Sequence, residues 1–274
     1  MLNAEQISKN YEKHLKIVDT YIGDRADGIK SMLHHMQETY MMAPASGKTW
    51  YHNAFPGGYV DHVNRVVQFS IEQSRLLENG WNYYYTEEQL VFSALFHDLG
   101  KIGDGDKPNY IPQTDKWRQD KLSEMYTFNP DLDFMLIPDR SLYILQKFDI
   151  KVSHNEFLGI RLHDGVFDKA NEAYFYSHNP NSRMKTNIVY VLHMADFMAS
   201  KVIRYLVTIY WWSCTKSTKN QVNHRKKGKF FEWTNKYAKK SINDNINILD
   251  EYCLSLLPCL LLYCLTFFSF SITF

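Results

Sequence analysis

The chain has 274 residues and a formal net charge of +1, with 45% hydrophobic and 15% aromatic residues. This length suits one large domain with an appendage, and the composition is sufficient for a sizeable core. All four cysteines lie after residue 213, which excludes a disulfide framework for the preceding chain. The first 20 residues are charged and lack the apolar stretch of a signal peptide, so we expect a cytoplasmic main domain.

Apolar residues at helical spacing predict helices in the first part of the chain. These helices span residues 4–20, 25–42 and 59–77. Residues 44–58, which contain two prolines and three glycines, predict the loop before the third helix. Thr86 and Gln89 have the spacing of a capping box, which predicts a helix that runs into the sequence FHDLGK at residues 96–101.

A long insertion and three more helices follow. Residues 103–137 are rich in Asp, Pro and Asn, which predicts an irregular segment that is functional or forms a small hairpin. Ser153 and Glu156 form a second capping box. The predicted helices span residues 139–149, 153–163 and 185–205. These patterns predict an all-α domain over residues 1–205.

The composition of the chain changes after this domain. Residues 1–205 hold 22 Lys and Arg against 26 Asp and Glu, whereas residues 206–274 hold 9 against 4. Residues 206–251 predict a basic linker that is solvated or close to a membrane; contact with nucleic acid is the less favoured alternative. Residues 252–274 carry no charge. They predict either a membrane anchor, which needs about 20 apolar residues, or an aberrant C-terminus.

Two histidines and two aspartates on three predicted helices form the most informative pattern. They are His62, the adjacent His97 and Asp98, and Asp196. Two imidazoles and two carboxylates are a donor set suited to divalent Mn, Fe, Ni, Zn or Mg. Because consecutive side chains diverge by roughly 100° on a helix, we expect the helix to end at Gly100 and let both adjacent residues face one ion. Taken singly, each histidine is more typical of a buried structural residue.

Four segments of the chain carry these residues and their neighbours. They are PGGYVDHV (56–63), FHDLGKI (96–102), IRLHDGVFD (160–168) and VLHMADFMAS (191–200). In this order and spacing, over residues 43–205, the chain resembles the HD-domain superfamily of metal-dependent phosphohydrolases, most closely its bacterial and phage members. The resemblance implies an all-α HD-domain helical bundle. It also implies that His62, His97, Asp98 and Asp196 bind a divalent metal ion.

The same resemblance implies roles around these ligands. Lys101 matches a residue near the substrate phosphate, and His163 matches a histidine that in some members completes a second metal site or contacts substrate. Asp98 would also orient or deprotonate the attacking water. Members with two metals usually have another histidine where this chain has Ile137. We therefore expect one ion per site, with His163 or His154 as a proton shuttle.

Two further residues are predicted to bind substrate. Arg65 lies one turn after His62 on the same helix face, which indicates a phosphate clamp or a surface pair with a carboxylate. His52 precedes the first ligand helix, and similar family members have a histidine there, so we expect it to line the pocket. His163 is either a general acid near neutral pH or a structural hydrogen-bonding residue.

The expected function is hydrolysis of a phosphoester or phosphoanhydride bond in a nucleotide, of the nucleotidase or dNTP phosphohydrolase type. One alternative is a 3′-to-5′ exoribonuclease or cyclic-nucleotide phosphodiesterase of the same superfamily. Another is a non-catalytic HD module that binds a nucleotide. HD relatives often form homodimers, and residues 252–274 indicate tail anchoring at a membrane as an alternative location.

Overall fold

A computed structural model describes residues 1–77, 84–176, 179, 181 and 183–201 of this chain. The described α-helices are α1 Ala4–Tyr21, α2 Ala26–His35, α3 Gln37–Met42, α4 Gly58–Leu77, α5 Glu87–Phe96, α6 Lys116–Leu122, α7 Ile137–Lys147, α8 His154–Leu162, α9 Glu172–Phe175 and α10, residues 188–201. The predicted all-α class is confirmed in its coarse form, since this part of the chain is mostly helical. The predictions for residues 206–274 lie outside the described residues.

Helix starts follow the predicted capping signals. The Thr86 and Ser153 side chains each accept a hydrogen bond from the backbone three residues ahead, as capping boxes do. α1 begins with a third capping box, between Asn3 and Gln6. The Gln89 amide also donates to the Ser153 hydroxyl at 3.1 Å, so the two predicted boxes contact each other. This contact joins the starts of α5 and α8.

The predicted helix over residues 25–42 is divided at Met36, which has bridge-region dihedral angles of −103° and 13°. Buried Leu33 and Tyr40 keep helical spacing across the division, so the apolar pattern gives no sign of it. The division turns one predicted helix into two short ones, α2 and α3.

The insertion forms the small hairpin that its composition indicated. Strands β1 Tyr110–Pro112 and β2 Tyr126–Phe128 pair antiparallel, with Tyr110 opposite Phe128. They form the only sheet within the described residues. α6 lies between the two strands along the chain and has no buried residue. The sequence therefore has no amphipathic pattern that would predict this helix.

α5 is the central helix of the described core. Every residue from Leu90 to Phe96 is buried, and α5 packs between α4 and α8. α7 packs against α8 and against the 3₁₀ helix Leu99–Ile102 that follows α5. The end of α5 and the 3₁₀ helix after it therefore lie among α4, α7 and α8.

Among the helices that the structure describes, none has the length and apolar character needed to cross a membrane.

Candidate metal centre

Four helices bring three histidines and two aspartates to one place, the candidate metal centre. α4 carries His62, the end of α5 carries His97 and Asp98, the end of α8 carries His163, and α10 carries Asp196. The histidines and Asp98 are buried, whereas the Asp196 side chain is 21% exposed. Solvent therefore reaches the centre from the side of α10.

The ring nitrogens and carboxylate oxygens converge within a few ångströms. His62 Nε2 lies 3.1 Å from Asp196 Oδ1 and 3.6 Å from Asp98 Oδ2. His97 Nε2 lies 3.3 Å from Asp98 Oδ2 and 3.9 Å from Asp196 Oδ1. His163 Nε2 lies 3.5 Å from Asp98 Oδ1. The structure thus brings the four predicted ligands together and adds His163 to them.

Two groups of three donors have atoms within 4.8 Å of one another. One is His62, His97 and Asp98, and the other is His97, His163 and Asp196. Both groups use His97 Nε2, because the other ring nitrogen bonds to the Ala94 carbonyl at 2.8 Å. One imidazole nitrogen has one lone pair to donate. The two groups are therefore alternative descriptions of a single centre.

The tautomers of two histidines suit metal binding. A carbonyl oxygen only accepts hydrogen bonds, so His97 Nδ1 donates to Ala94 O and His163 Nδ1 donates to Ile160 O, each at 2.8 Å. In the neutral rings this leaves the Nε2 lone pairs directed at the centre, which is the arrangement usual for metal-ligating histidines.

Several of these buried nitrogens make no well-formed hydrogen bond among the described residues. They are His97 Nε2 and both ring nitrogens of His62, although a carboxylate oxygen lies 3.1 Å from His62 Nε2 and 3.3 Å from His97 Nε2. An unsatisfied buried polar group costs roughly 1–3 kcal/mol. Bonds to a metal ion would relieve this cost at the Nε2 atoms. The five side chains of the centre can therefore hold a metal ion, with Asp98 and Asp196 supplying the negative charge.

The pairing of His with Asp has a local structural origin, and it occurs twice. α5 ends at Phe96, and His97 keeps helical dihedral angles. Asp98 then caps the start of the 3₁₀ helix Leu99–Ile102. α8 ends in the same way before His163 and Asp164. In both turns the histidine ring bonds to a carbonyl three residues earlier. The expected helix end at Gly100 is thus wrong by one turn.

Gly100 has a different role from the one expected. Its N–H donates to the Ser141 hydroxyl at 2.8 Å, and a Cβ atom here would overlap with the Ile137 carbonyl oxygen. The glycine is required because α7 approaches the backbone of the ligand turn closely. Ile137 contributes its backbone carbonyl to this close contact.

The carboxylates of the centre are charged. Burial alone would raise the pKa of Asp98, but Lys101 and His97 hold it well below its usual value. Burial opposes the charge on Asp196 as well, and His62 lowers that pKa below its ordinary range. Charged carboxylates are the form that ligates metals.

Lys101 is an ion-pair partner of a ligand. Its ammonium donates to Asp98 Oδ2 at 2.6 Å. Burial disfavours the lysine charge, but Asp98 raises the pKa of Lys101 above its usual value. The side chain therefore stays positive beside the centre, where the resemblance implied a residue near the substrate phosphate.

The carboxylates near His163 favour its protonated form. Burial lowers its pKa, but Asp164 and Asp98 raise it to about 9. Asp98 is also a candidate ligand, so a bound cation and this proton compete for the same negative charge. His163 is compatible with both predicted roles. Its Nδ1 makes a structural hydrogen bond to the backbone, and its Nε2 faces the centre, where a general acid would lie.

The other predicted site residues, His52, Arg65 and His154, lie in three different environments. The His52 ring lies 4.4 Å from the His62 ring, and burial, then His62 and Lys101, lower its pKa to about 2. Arg65 forms an ion pair with Asp61, which is the second of its two predicted roles. His154 is exposed at the start of α8, at the other end of the helix from His163.

Three residues near the centre were not predicted. His193 Nδ1 donates to the His163 carbonyl at 2.7 Å, and Asp164 Oδ2 lies 3.7 Å from His163 Nε2. On β1, burial raises the pKa of Tyr110, and the Lys101 ammonium opposes this rise. The repeated HD pair was a sequence signal for Asp164. Tyr110 had none, because it lies in the irregular insertion, which has no periodic pattern.

No family model, curated protein or solved structure matches this chain. The membership of the HD-domain superfamily therefore stays a prediction. The described residues establish a mostly helical fold and a buried cluster of histidine and aspartate that can hold a metal ion.

Proposed function

We propose that this chain is a metal-dependent phosphohydrolase of the HD type that cleaves a phosphoester or phosphoanhydride bond in a nucleotide. The observation that carries the proposal is the convergence of buried imidazole nitrogens and two charged carboxylates within a few ångströms of one another. His62, His97, Asp98 and Asp196 would hold one divalent ion. Such an ion lowers the pKa of water from 15.7 to about 7 and polarises a phosphoryl oxygen.

The residues beside the ligands support phosphoryl transfer rather than another use of a metal. The Lys101 ammonium is held in place by Asp98 and can neutralise charge on the phosphoryl oxygens, where such catalysts gain most. Asp98 can accept a hydrogen bond from the attacking water. As the water oxygen bonds to phosphorus, Asp98 would take a proton from the water and the bond from phosphorus to the leaving oxygen would break; His163, whose Nε2 lies 3.5 Å from Asp98 Oδ1, would give a proton to that oxygen.

The exposed side of the centre suits a substrate that enters from solvent. Asp196 is the least buried of the five donors, and it lies on α10. Four protein donors would leave two positions of an octahedral ion open for water and substrate oxygens, and the partly exposed side of the centre gives solvent access to it. The partly exposed Asp196 therefore favours catalysis over a structural role.

The test is product release from a nucleotide panel, measured with the full chain in Mn, Mg, Ni or Zn. The panel contains dNTPs, NTPs, mononucleotides, cyclic dinucleotides and short RNA. We expect hydrolysis of mononucleotides or dNTPs, loss of it in Asp98→Ala, and its retention in Asp104→Ala. Asp104 is a suitable control because it pairs with Lys147 instead of a ligand.

Other outcomes distinguish the alternatives. Cleavage of RNA or cyclic dinucleotides alone would favour the exoribonuclease or phosphodiesterase alternative. A silent panel with metal bound would favour a non-catalytic module. A silent panel with no metal bound by equilibrium dialysis would reject the proposal.

A further inference from the structure

The hydroxyl of Ser141, on α7, contacts the backbone of the turn that carries two candidate ligands. The Gly100 N–H donates to Ser141 Oγ at 2.8 Å, and the His97 carbonyl oxygen lies 3.1 Å from the same atom. The Ser141 side chain is fully buried. One hydroxyl from a helix that is distant in sequence therefore meets the ligand turn on both sides of Asp98.

The direction of these hydrogen bonds separates the contact with the turn from an ordinary helical contact. The hydroxyl has one proton to donate, and two carbonyl oxygens lie within its reach, His97 O at 3.1 Å and Ile137 O at 2.9 Å. The bond to Ile137, four residues earlier on α7, is a local one that serine often makes inside a helix. The bond from Gly100 has no such local origin, because a backbone N–H only donates and this one joins the turn to α7.

Arg140, the residue before Ser141, reaches the other polar group of the same glycine. Its Nη1 donates to the Gly100 carbonyl at 3.4 Å and to Asn109 Oδ1 at 2.7 Å. Its Nη2 donates to the Asp133 carbonyl at 2.7 Å. The side chain is buried. α7 therefore binds both the N–H and the carbonyl of Gly100, two residues after a candidate ligand.

The directions of two adjacent donors depend on this stretch of backbone. His97 and Asp98 are consecutive, and consecutive side chains on an α-helix diverge by roughly 100°. They face one place because the backbone leaves the α-helix here and continues as the 3₁₀ helix Leu99–Ile102. Hydrogen bonds within a 3₁₀ helix have poorer geometry than those of an α-helix. Contacts from outside therefore contribute more to holding this turn in place.

We infer that Ser141 is a positioning residue of the candidate metal centre. Its hydroxyl fixes the backbone between His97 and Gly100, and this fixes the directions of His97 Nε2 and Asp98 Oδ2, which lie 3.3 Å apart. Ser141 would act on a bound ion through these two ligands and not by touching the ion. The inference rests on the metal centre of the proposed function, but it does not require the substrate to be a nucleotide.

The test compares Ser141→Ala with Ser93→Ala in the full chain. Ser93 is a matched control because it is equally buried and lies on α5, where its hydroxyl donates to the Gln89 carbonyl of its own helix at 2.8 Å. Cobalt(II) alone is the probe, since it binds nitrogen and oxygen donors and its visible absorption reports their number and geometry. We expect Ser141→Ala to raise the cobalt Kd about tenfold and to change the absorption spectrum of the bound ion. Ser93→Ala should match wild type in both measurements.

A purely structural role would lower stability without changing the spectrum. If Ser141→Ala lost stability in urea but kept the wild-type Kd and spectrum, the inference would be overturned while the metal centre stands. Weaker binding with a changed spectrum in Ser141→Ala alone would support the inference, even if the wild-type chain hydrolysed no nucleotide. If the wild-type chain bound no cobalt in equilibrium dialysis, both the centre and the inference would be overturned.

Discussion

At the scale of single residues, Asp98 holds the centre together. Its carboxylate accepts from Lys101 at 2.6 Å and faces His62 and His97 through the same oxygen. In Asp98→Ala the Lys101 ammonium would stay buried without a carboxylate to pair with. We expect the free energy of unfolding to fall by about 3–5 kcal/mol in the presence of a chelator, measured by urea titration.

Asp104→Ala is the matched control for this measurement. It breaks a pair between Asp104 and Lys147 that is partly exposed to solvent, so we expect a loss within about 1 kcal/mol. Equal losses in the two variants would contradict the view that burial of the lysine charge makes Asp98 necessary.

His14 is a second residue whose environment has a measurable consequence. Its Nδ1 donates to the Asn64 side-chain oxygen at 2.9 Å, and its Nε2 accepts from Tyr40 at 2.8 Å. Burial lowers the pKa of His14 from 6.5 to about 4. The folded state therefore binds fewer protons than the unfolded state between these values, and stability falls as pH falls.

The expected loss is about 3 kcal/mol between pH 6.5 and pH 4. Urea unfolding of His14→Asn should show lower stability at pH 7 and a shallower decline towards pH 4. His34→Asn, at an exposed position on α2, should decline like wild type. A His14 variant with the wild-type pH dependence would show that other groups cause the decline.

At the scale of elements, the contact between α7 and the ligand turn is the tightest near the centre. A Cβ on Gly100 would overlap with the Ile137 carbonyl and lie 3.0 Å from the Arg140 Cβ. Gly100→Ala should therefore push α7 from the turn that carries His97 and Asp98. We expect a loss of about 1–3 kcal/mol in the free energy of unfolding and weaker metal binding by dialysis.

Gly23→Ala provides the comparison. The nearest atom to its added Cβ is Glu88 Oε2 at 3.5 Å, which is an ordinary contact. This substitution should leave metal binding unchanged and alter stability by less than about 1 kcal/mol. A Gly100 variant that behaves like the Gly23 variant would mean that α7 does not constrain the ligand turn.

At the scale of the whole molecule, the centre joins four helices that are far apart in sequence. A ligand that binds only the folded state at one hundred times its Kd stabilises it by about 2.7 kcal/mol. We expect Mn to raise the Tm of the full chain by roughly 5 to 10 °C over the chelated protein. Calorimetry of Asp196→Asn should show a much smaller shift, and Asp104→Asn should retain it. A shift common to all three would indicate binding elsewhere.

The sequence predicted most of the candidate centre because the order and spacing of its histidines and aspartates are visible in the chain. His62, His97, Asp98 and Asp196 were assigned from pattern and resemblance, and the structure brings them together. Arg65 pairs with Asp61, which lies four residues earlier on the same helix, so this ion pair has a spacing that is visible in the sequence.

Local interactions explain what the sequence by itself determined: the helical class, the capped starts of α5 and α8, and the His-Asp pairs at helix ends. Each depends on residues within about four positions of one another, so the pattern is visible in the chain. The tertiary structure alone decided the approach of α7 to Gly100 and the meeting of the histidines and aspartates of four helices at one place. These features depend on contacts between distant segments, whose geometry is set by packing and leaves no local periodicity to read.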